Sequence, residues 1–421
     1  MRKTLCVWIT VVCWLALPAA ALAQNGAFSL KDGDTVVFYG DSITAQNLYN
    51  QWIELYTVTR FPSMRVHFYG AGVGGDRVSG GVGGPIDQRL SRDVFAHKPT
   101  VVTVMLGMND GAYRPGSPEI ESAYTKGYEH LIESIHAHAP GARITLLGPS
   151  PFDDVTRPPQ FAGGYNAVME RYAADDRELA RKFDCAYVNL NPPVVAALER
   201  AGALDPLVGR LLLPDRVHPE ALVHWVMAET LLKGWNAPAL VSSVTMDGHA
   251  VQLLGAENAA VENLEPLKNG LQWTETDRAL PLAFNRKNEN DALLLELTDV
   301  QQALNQELLR VTGLPPGQYQ LAIDDKPVAA FSAADLGHGI NLAGYPTPMW
   351  QQAQRVGWLV RDRDQTHYVH MQMQIKKMDP GDKDGKPDAL DAFENFVEDA
   401  IYEEAAPKAH LFTLTPTGAE P

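Results

Sequence analysis

Cysteine is nearly missing: Cys6, Cys13 and Cys185 are the three in 421 residues. The first two lie in a segment read below as cleaved. One thiol then remains, no internal disulfide can form, and stability must come from packed cores, which this length permits. Cys185, in Phe183-Asp184-Cys185-Ala186-Tyr187-Val188, reads as a small buried hydrophobe rather than a nucleophile. Zinc spacings are missing too, with no C-x-x-C and no H-E-x-x-H, and so is the phosphate-cradling G-x-x-x-x-G-K-[ST]. Positive charge is scarce: Lys+Arg number 35 against 51 Asp+Glu, a formal net charge of −16. That excludes a general binder of nucleic acid or anionic lipid, which needs clustered cations. Neutral small molecules and neutral polysaccharides stay open as partners. Gly (34) and Pro (29) are near ordinary usage and 45% of residues are hydrophobic, so collagen-like, low-complexity and disordered classes are out. The length suggests two domains.

The N-terminus reads as an address. Arg2 and Lys3 carry the charge, an apolar run extends from Leu5 to Leu17, and small residues stand at Ala21 and Ala23. These are the three parts of a secretory signal peptide, with cleavage expected after Ala23. The run is shorter than the ~20 residues needed to span a bilayer. The expected product is secreted or periplasmic, with no membrane span after cleavage.

From Asp34 to about Asn236, short apolar runs alternate with helical stretches. The runs are Thr35–Tyr39, Arg65–Tyr69, Val101–Leu106, Arg143–Leu147 and Ala186–Leu190. The helical stretches are Ala45–Thr59, Pro85–His97, Glu119–His138, Tyr165–Phe183 and Pro219–Leu232. This alternation predicts a parallel sheet with helices on both faces and reactive groups at the carboxyl ends of its strands. The texture changes after Pro238. Short strands separated by turn signals (Leu240–Met246, Ala250–Leu254, Leu308–Thr312, Gln318–Ile323 and Pro327–Phe331) precede helices over Thr347–Lys377 and Asp388–Glu404. The expected organisation is a signal over 1–23, an α/β domain over 24–238, and a β-rich accessory module with helical additions over 239–421, whose tail after Ala405 is mobile.

Four motifs fall at strand ends or helix starts on one side of that sheet. Gly40-Asp41-Ser42 ends the first strand and opens a helix, a setting that suits a hydroxyl nucleophile and also a plain Ser N-cap. Gly70, Gly72 and Gly75 match G-x-G-x-x-G after the second strand. Gly80-Gly81 and Gly83-Gly84 interrupt the helix that dinucleotide binding requires, which leaves a loop whose bare backbone can donate N–H groups. Gly107-Met108-Asn109-Asp110 ends the third strand and offers the Asn109 amide, or forms an ordinary turn. Asp215-Arg216-Val217-His218-Pro219 places a carboxylate three residues before an imidazole, near enough to hold one ring nitrogen and leave the other to take a proton.

In order and spacing these four blocks resemble the SGNH/GDSL hydrolases. The resemblance covers roughly Asp34 to Asn236 and departs at Gly70, where the family often has Asn. It implies a flavodoxin-like three-layer α/β/α domain. It implies Ser42 as nucleophile, His218 as general base and then acid, and Asp215 as the group that orients His218. The N–H groups of Ser42 and Gly75 with the Asn109 side chain would form the oxyanion hole. No metal or cofactor is implied.

The expected activity is hydrolysis of O-acyl esters, acetyl above all, on a small molecule or polysaccharide. Lipid-ester or thioester hydrolysis, acyl transfer, or noncatalytic polysaccharide binding are the alternatives. Tyr49, Trp52 and Tyr56 at helical spacing suit core packing or stacking on a sugar. Arg77 and Asp153 are candidate substrate contacts. Asp382, Asp384 and Gly385 suggest a calcium loop within Asp379–Asp391, but Pro380 stands where its first ligand belongs. Gly339–Ala343 with Thr347-Pro348-Met349 marks a turn-to-helix junction.

Overall fold

A computed structural model describes residues 26–268, 270–376 and 389–417. The signal segment and most of the Asp379–Asp391 loop lie outside the described residues. The chain begins with strand β1 (Thr35–Gly40), helices α1 (Ser42–Ala45) and α2 (Tyr49–Arg60), and strand β2 (His67–Gly72). A two-residue hairpin, β3 (Gly80–Gly81) and β4 (Gly84–Pro85), leads to α3 (Ile86–Asp93) and β5 (Val101–Met105). Then come α4 (Pro118–His138), β6 (Arg143–Gly148), α5 (Asn166–Lys182), β7 (Ala186–Asn189), α6 (Asn191–Leu204), α7 (Pro206–Leu211) and α8 (Ala221–Gly234).

These strands make one parallel sheet in the order β2-β1-β5-β6-β7, with helices on both faces, a flavodoxin-like arrangement. All of β5 is buried, and all of β1 beyond Thr35, which is why both read as unbroken apolar runs. The strand order reverses between β1 and β5. Their carboxyl ends therefore diverge from a crevice, and Ser42 and Asn109 stand on its two sides. The stretch expected as one helix, Ala45–Thr59, is two: Asn47 adopts φ 57° and separates α1 from α2, a left-handed turn that Asn tolerates. Helices α6 and α7 were not expected. Both carry proline in the first turn, where the missing N–H costs nothing.

The remainder holds β8 (Leu240–Asp247), β9 (Gln252–Glu257), β10 (Ala259–Leu267) and β11 (Gly270–Asp277), then α9 (Glu289–Leu297), α10 (Val300–Leu304) and β12 (Gln306–Thr312). It continues with β13 (Gln318–Ile323), β14 (Lys326–Ser332), α11 (Ala333–His338), β15 (Ile340–Asn341), α12 (Pro348–Ile375), α13 (Ala389–Ala405) and β16 (His410–Pro416). One sheet runs β15-β12-β8-β9 and another β10-β11-β16-β13-β14. The tail expected to be mobile after Ala405 is instead the middle strand of the second sheet. Phe412 and Leu414 alternate inward and join the core with Trp273 and Leu321. The junction before α12 is a helix start: the Thr347 hydroxyl accepts from Trp350 N at 3.1 Å.

Buried cations tie this second half to the parallel sheet. Arg60 on α2 donates to the carbonyls of Pro238, Leu240 and Leu304, each at 2.8 Å. Arg363 on α12, 2% exposed, donates to Glu54 of α2 (2.9 Å), the Phe68 carbonyl of β2 (2.6 Å) and Asp364 (2.8 Å). Removing one partner of such a cluster leaves uncompensated buried charge. Arg363→Met should therefore cost about 3–5 kcal/mol in chemical denaturation. Arg361→Met, at a side chain 63% exposed, should change stability by less than about 1 kcal/mol.

Candidate active site

Ser42 is the first residue of α1, directly after β1. The Asp41 carboxylate caps this turn, accepting from Ile43 N at 2.9 Å. Because α1 is a single turn, its dipole is small. Any help to a developing anion comes from local N–H groups rather than from the long helix expected from the sequence. Asp41 is buried, and burial chiefly pushes its carboxyl up to about 7.

His218 comes from the loop before α8. Its Nε2 lies 2.8 Å from Ser42 Oγ, and its Nδ1 lies 2.6 Å from Asp215 Oδ2. The other Asp215 oxygen accepts the backbone N–H groups of Val217 (3.0 Å) and His218 (2.8 Å). One carboxylate thus shapes the turn and fixes the ring. Burial alone would raise the Asp215 carboxyl, but its hydrogen bonds with the His218 amide, the His218 ring and the Val217 amide outweigh this and hold it below its ordinary value. The turn is strained, since Arg216 takes φ 75°. Its side chain compensates by donating to the carbonyls of Asp153 (3.0 Å) and Pro158 (3.1 Å).

Asn109 follows β5. Its Nδ2 donates to the Asp76 carbonyl at 3.0 Å, and its Oδ1 accepts from the Tyr113 hydroxyl at 3.0 Å. The amide is held at both ends, and its second N–H points toward Asp41 Oδ2 at 3.5 Å. Gly75 sits in the loop after β2 at φ 78°, where a side chain would be strained. At Gly72 a Cβ would meet Ala45 N at 2.2 Å, so only glycine lets β2 pass this close to α1. No helix follows the glycines until Ile86, which removes the dinucleotide reading.

Ser42, His218 and Asp215 are thus joined by hydrogen bonds, with Asn109 and the Gly75 loop beside them. Other candidates fare differently. Tyr49 and Tyr56 are core residues, whereas Trp52 is half-buried and lines a groove. Arg77 is exposed on the Gly75 loop. Asp153 is not a substrate contact: it is fully buried and accepts from Thr156 N (2.8 Å), Thr156 Oγ1 (2.5 Å) and Arg157 (3.2 Å), bracing the His218 loop from below. Cys185 is partly buried, and burial pushes its thiol up to about 11, which fits its inert reading.

Several positioning residues escaped the sequence reading. Arg89, fully buried, donates to Asp76 Oδ2 at 2.5 Å and to the Ala71 carbonyl at 2.8 Å, and also pairs with Asp93. It thereby clamps the Gly75 loop. Asp110 Oδ1 accepts Val78 N at 3.0 Å from the same loop. Gln46 ties α1 to the His218 loop through the Pro219 carbonyl at 3.0 Å. Only the Arg89–Asp93 pair, one helical turn apart, left a trace in the sequence.

A pH dependence follows from Asp41. Its folded value of about 7 lies above that of an unfolded carboxylate, so the folded form holds the proton more tightly. Its contribution to stability is therefore full below ~4 and is lost as pH rises through about 7. Asp41→Asn keeps a good cap and should remove Asp41's share of the decline; other buried carboxyls, among them Asp110 (raised to about 6) and Glu229 (raised to about 7), supply the rest. Melting temperatures measured between pH 4 and 7 check this, and an unchanged slope would refute it.

Residues 38–226 match the model of the GDSL-like lipase/acylhydrolase family. Among solved structures the chain is similar to BT4096, a gut microbial diltiazem-metabolizing enzyme, at 26% identity and TM-score 0.80, over 93% of this chain and 100% of that one. It is also similar to Axe2, an acetylxylan esterase from Geobacillus stearothermophilus, at 21% identity and TM-score 0.40, over 49% of this chain and 96% of that one. A third is the acetyl xylan esterase AlAXEase, at 21% identity and TM-score 0.40, over 47% and 98%. The curated proteins give no match. The matched region contains the sheet, the Ser42 turn and the loop ending at His218: residues 38–226 form a GDSL-like lipase/acylhydrolase domain, which makes the chain a carboxylic ester hydrolase.

Proposed function

We propose that the chain is an exported serine esterase that removes short acyl groups, acetyl above all, from a polyhydroxylated alcohol such as a carbohydrate. The observation that carries the catalytic part is the unbroken relay from Ser42 Oγ through His218 Nε2 and Nδ1 to Asp215, at 2.8 and 2.6 Å. His218 takes the Ser42 proton as Oγ attacks the carbonyl carbon. Asp215 keeps Nδ1 protonated and balances the imidazolium that forms. The N–H groups of Ser42 and Gly75, with Asn109 Nδ2, receive the oxyanion. His218 then protonates the departing alcohol. Water, deprotonated by the same nitrogen, releases the acid from the acyl-enzyme. None of these steps calls on a metal or cofactor.

The cleft supports the choice of alcohol. Around Ser42 it is lined by Gln46, Gln51, Arg361, Gln365 and Tyr368, groups that hydrogen-bond hydroxyls. It continues past Leu48 and Gln51 into a groove of about 360 Å³ walled by Trp52, Trp225, Phe284 and Trp358, flat faces on which a ring can lie. Trp358 is 55% exposed there. The charged, apolar and small-residue order of the N-terminus supports export, which would bring the enzyme to extracytoplasmic glycans. Among the described residues no helix is long and apolar enough to cross a membrane.

Ser42→Ala should abolish hydrolysis of an activated acetyl ester while leaving the melting temperature within about a degree, and full turnover in that variant would refute the relay. Asn109→Ala should lower kcat about 10²–10³-fold. A panel of acetylated oligosaccharides, diltiazem and esters of increasing chain length tests the substrate. Preference should fall with acyl length, and a maximum at long chains would remove the acetyl assignment.

A further inference from the structure

On the face of α12 turned away from the catalytic cleft, a cavity of about 330 Å³ opens between α12, α13 and the end of β2. Three donor groups converge in it. His370 Nδ1 lies 3.3 Å from Asp391 Oδ1 and 3.5 Å from Glu394 Oε1, and all three donor atoms lie within 4.8 Å of one another. His370 and Glu394 are 6% and 7% exposed. Glu394 Oε1 is buried and accepts no hydrogen bond among the described residues. From the structure we propose that His370, Asp391 and Glu394 form a binding site for one divalent metal ion of the zinc class, clasping α12 to α13.

Two of the three donor separations, 3.3 and 3.5 Å, fit that ion, and the third lies within 4.8 Å. Ligands about 2.0–2.1 Å from a tetrahedral centre stand about 3.3–3.4 Å apart, whereas octahedral neighbours at the same bond length would stand about 3.0 Å apart. One imidazole with two carboxylates is a zinc-type set, too nitrogen-rich for calcium, which takes oxygen. The outer groups are in place. Glu394 Oε2 is engaged by His367 Nδ1 at 3.1 Å, which leaves Oε1 for the metal. His370 Nε2 faces the Gln374 amide at 3.0 Å. With the amide turned to present its oxygen, Nε2 becomes the donor, and that tautomer frees Nδ1 to ligate.

Charge argues the same way. Beside the site, the buried guanidinium of Arg363 already faces Glu54, Asp364 and Glu398. Glu394 and Asp391 add two more carboxylates. His97, also on the cavity, is kept neutral by burial, which pushes it down to about 3. A bound dication would stand among these carboxylates.

The test is zinc titration of the full chain after treatment with a chelator, followed by calorimetry and metal analysis. One zinc per chain is expected, and a melting temperature raised by about 3 °C at a hundredfold excess over Kd. Asp391→Asn, at a side chain 49% exposed, should weaken binding at least about tenfold, as should Glu394→Gln. Ser42→Ala should bind zinc like the parent chain. Absence of stoichiometric binding, or binding unaltered in both Asp391→Asn and Glu394→Gln, would overturn the proposal.

Discussion

The site depends on how one carboxylate is shared. Asp215 spends Oδ1 on the amides of Val217 and His218 and Oδ2 on the imidazole. The turn and the ring orientation are therefore a single structure. A residue three positions before a histidine reaches its ring only if the intervening backbone doubles back. Here it does so through a left-handed Arg216, which a free peptide would avoid. Asp153 N donates to the Arg216 carbonyl and Arg157 to those of Leu213 and Pro214, while the Arg216 side chain donates to the carbonyls of Asp153 and Pro158, and together they hold that conformation. The imidazole is thereby ordered before any substrate arrives, and in the proposed mechanism this is the preorganisation from which an enzyme gains most.

The same economy governs the other side of the crevice. The Gly75 loop has few side chains and cannot pack itself. It is held from beneath by Arg89 and Asp76, both with no exposed surface, and from the side by Asp110. A buried ion pair contributes little net stability, because desolvation offsets its attraction. Its geometry is nonetheless specific, and a loop that must present N–H groups needs position more than it needs stability.

Much of the first half was legible because its physics is local and periodic. A parallel sheet buried on both faces demands apolar runs, and reactive groups cluster where those runs end. Ser42, Asn109 and the Asp215–His218 loop could therefore be placed at that edge from the pattern, and the resemblance to the SGNH/GDSL hydrolases supplied their expected roles. The second half was less legible. Strands β10 and β11 are rich in Glu and Thr, and their inward residues include Glu275 and Asp277, so burial there did not look apolar. The tail failed as a sequence reading for another reason. His410–Pro416 is short and follows an acidic helix, and nothing near it in sequence reveals that β11 and β13 leave a gap between them. Arg60, Arg89 and Arg363 were illegible as core residues because an arginine reads as surface until its partners, often hundreds of positions away, are known.

That last point bears on where selectivity resides. The groups proposed as catalytic all come from the region of the family match, but part of the cleft they face does not. Arg361, Gln365 and Tyr368 of α12 line it beside Ser42, and Phe284 and Trp358 extend it. Helix α12 can serve as that wall only because Arg363, on its other face, is bonded to α2 and β2. The similarity to a solved enzyme over 93% of the chain at TM-score 0.80 covers this wall as well as the sheet. Under the proposed function the second half thus contributes a wall of the substrate cleft. Changes in α12 should alter which alcohol is accepted while leaving the attack on the carbonyl intact, because the relay touches no residue beyond His218.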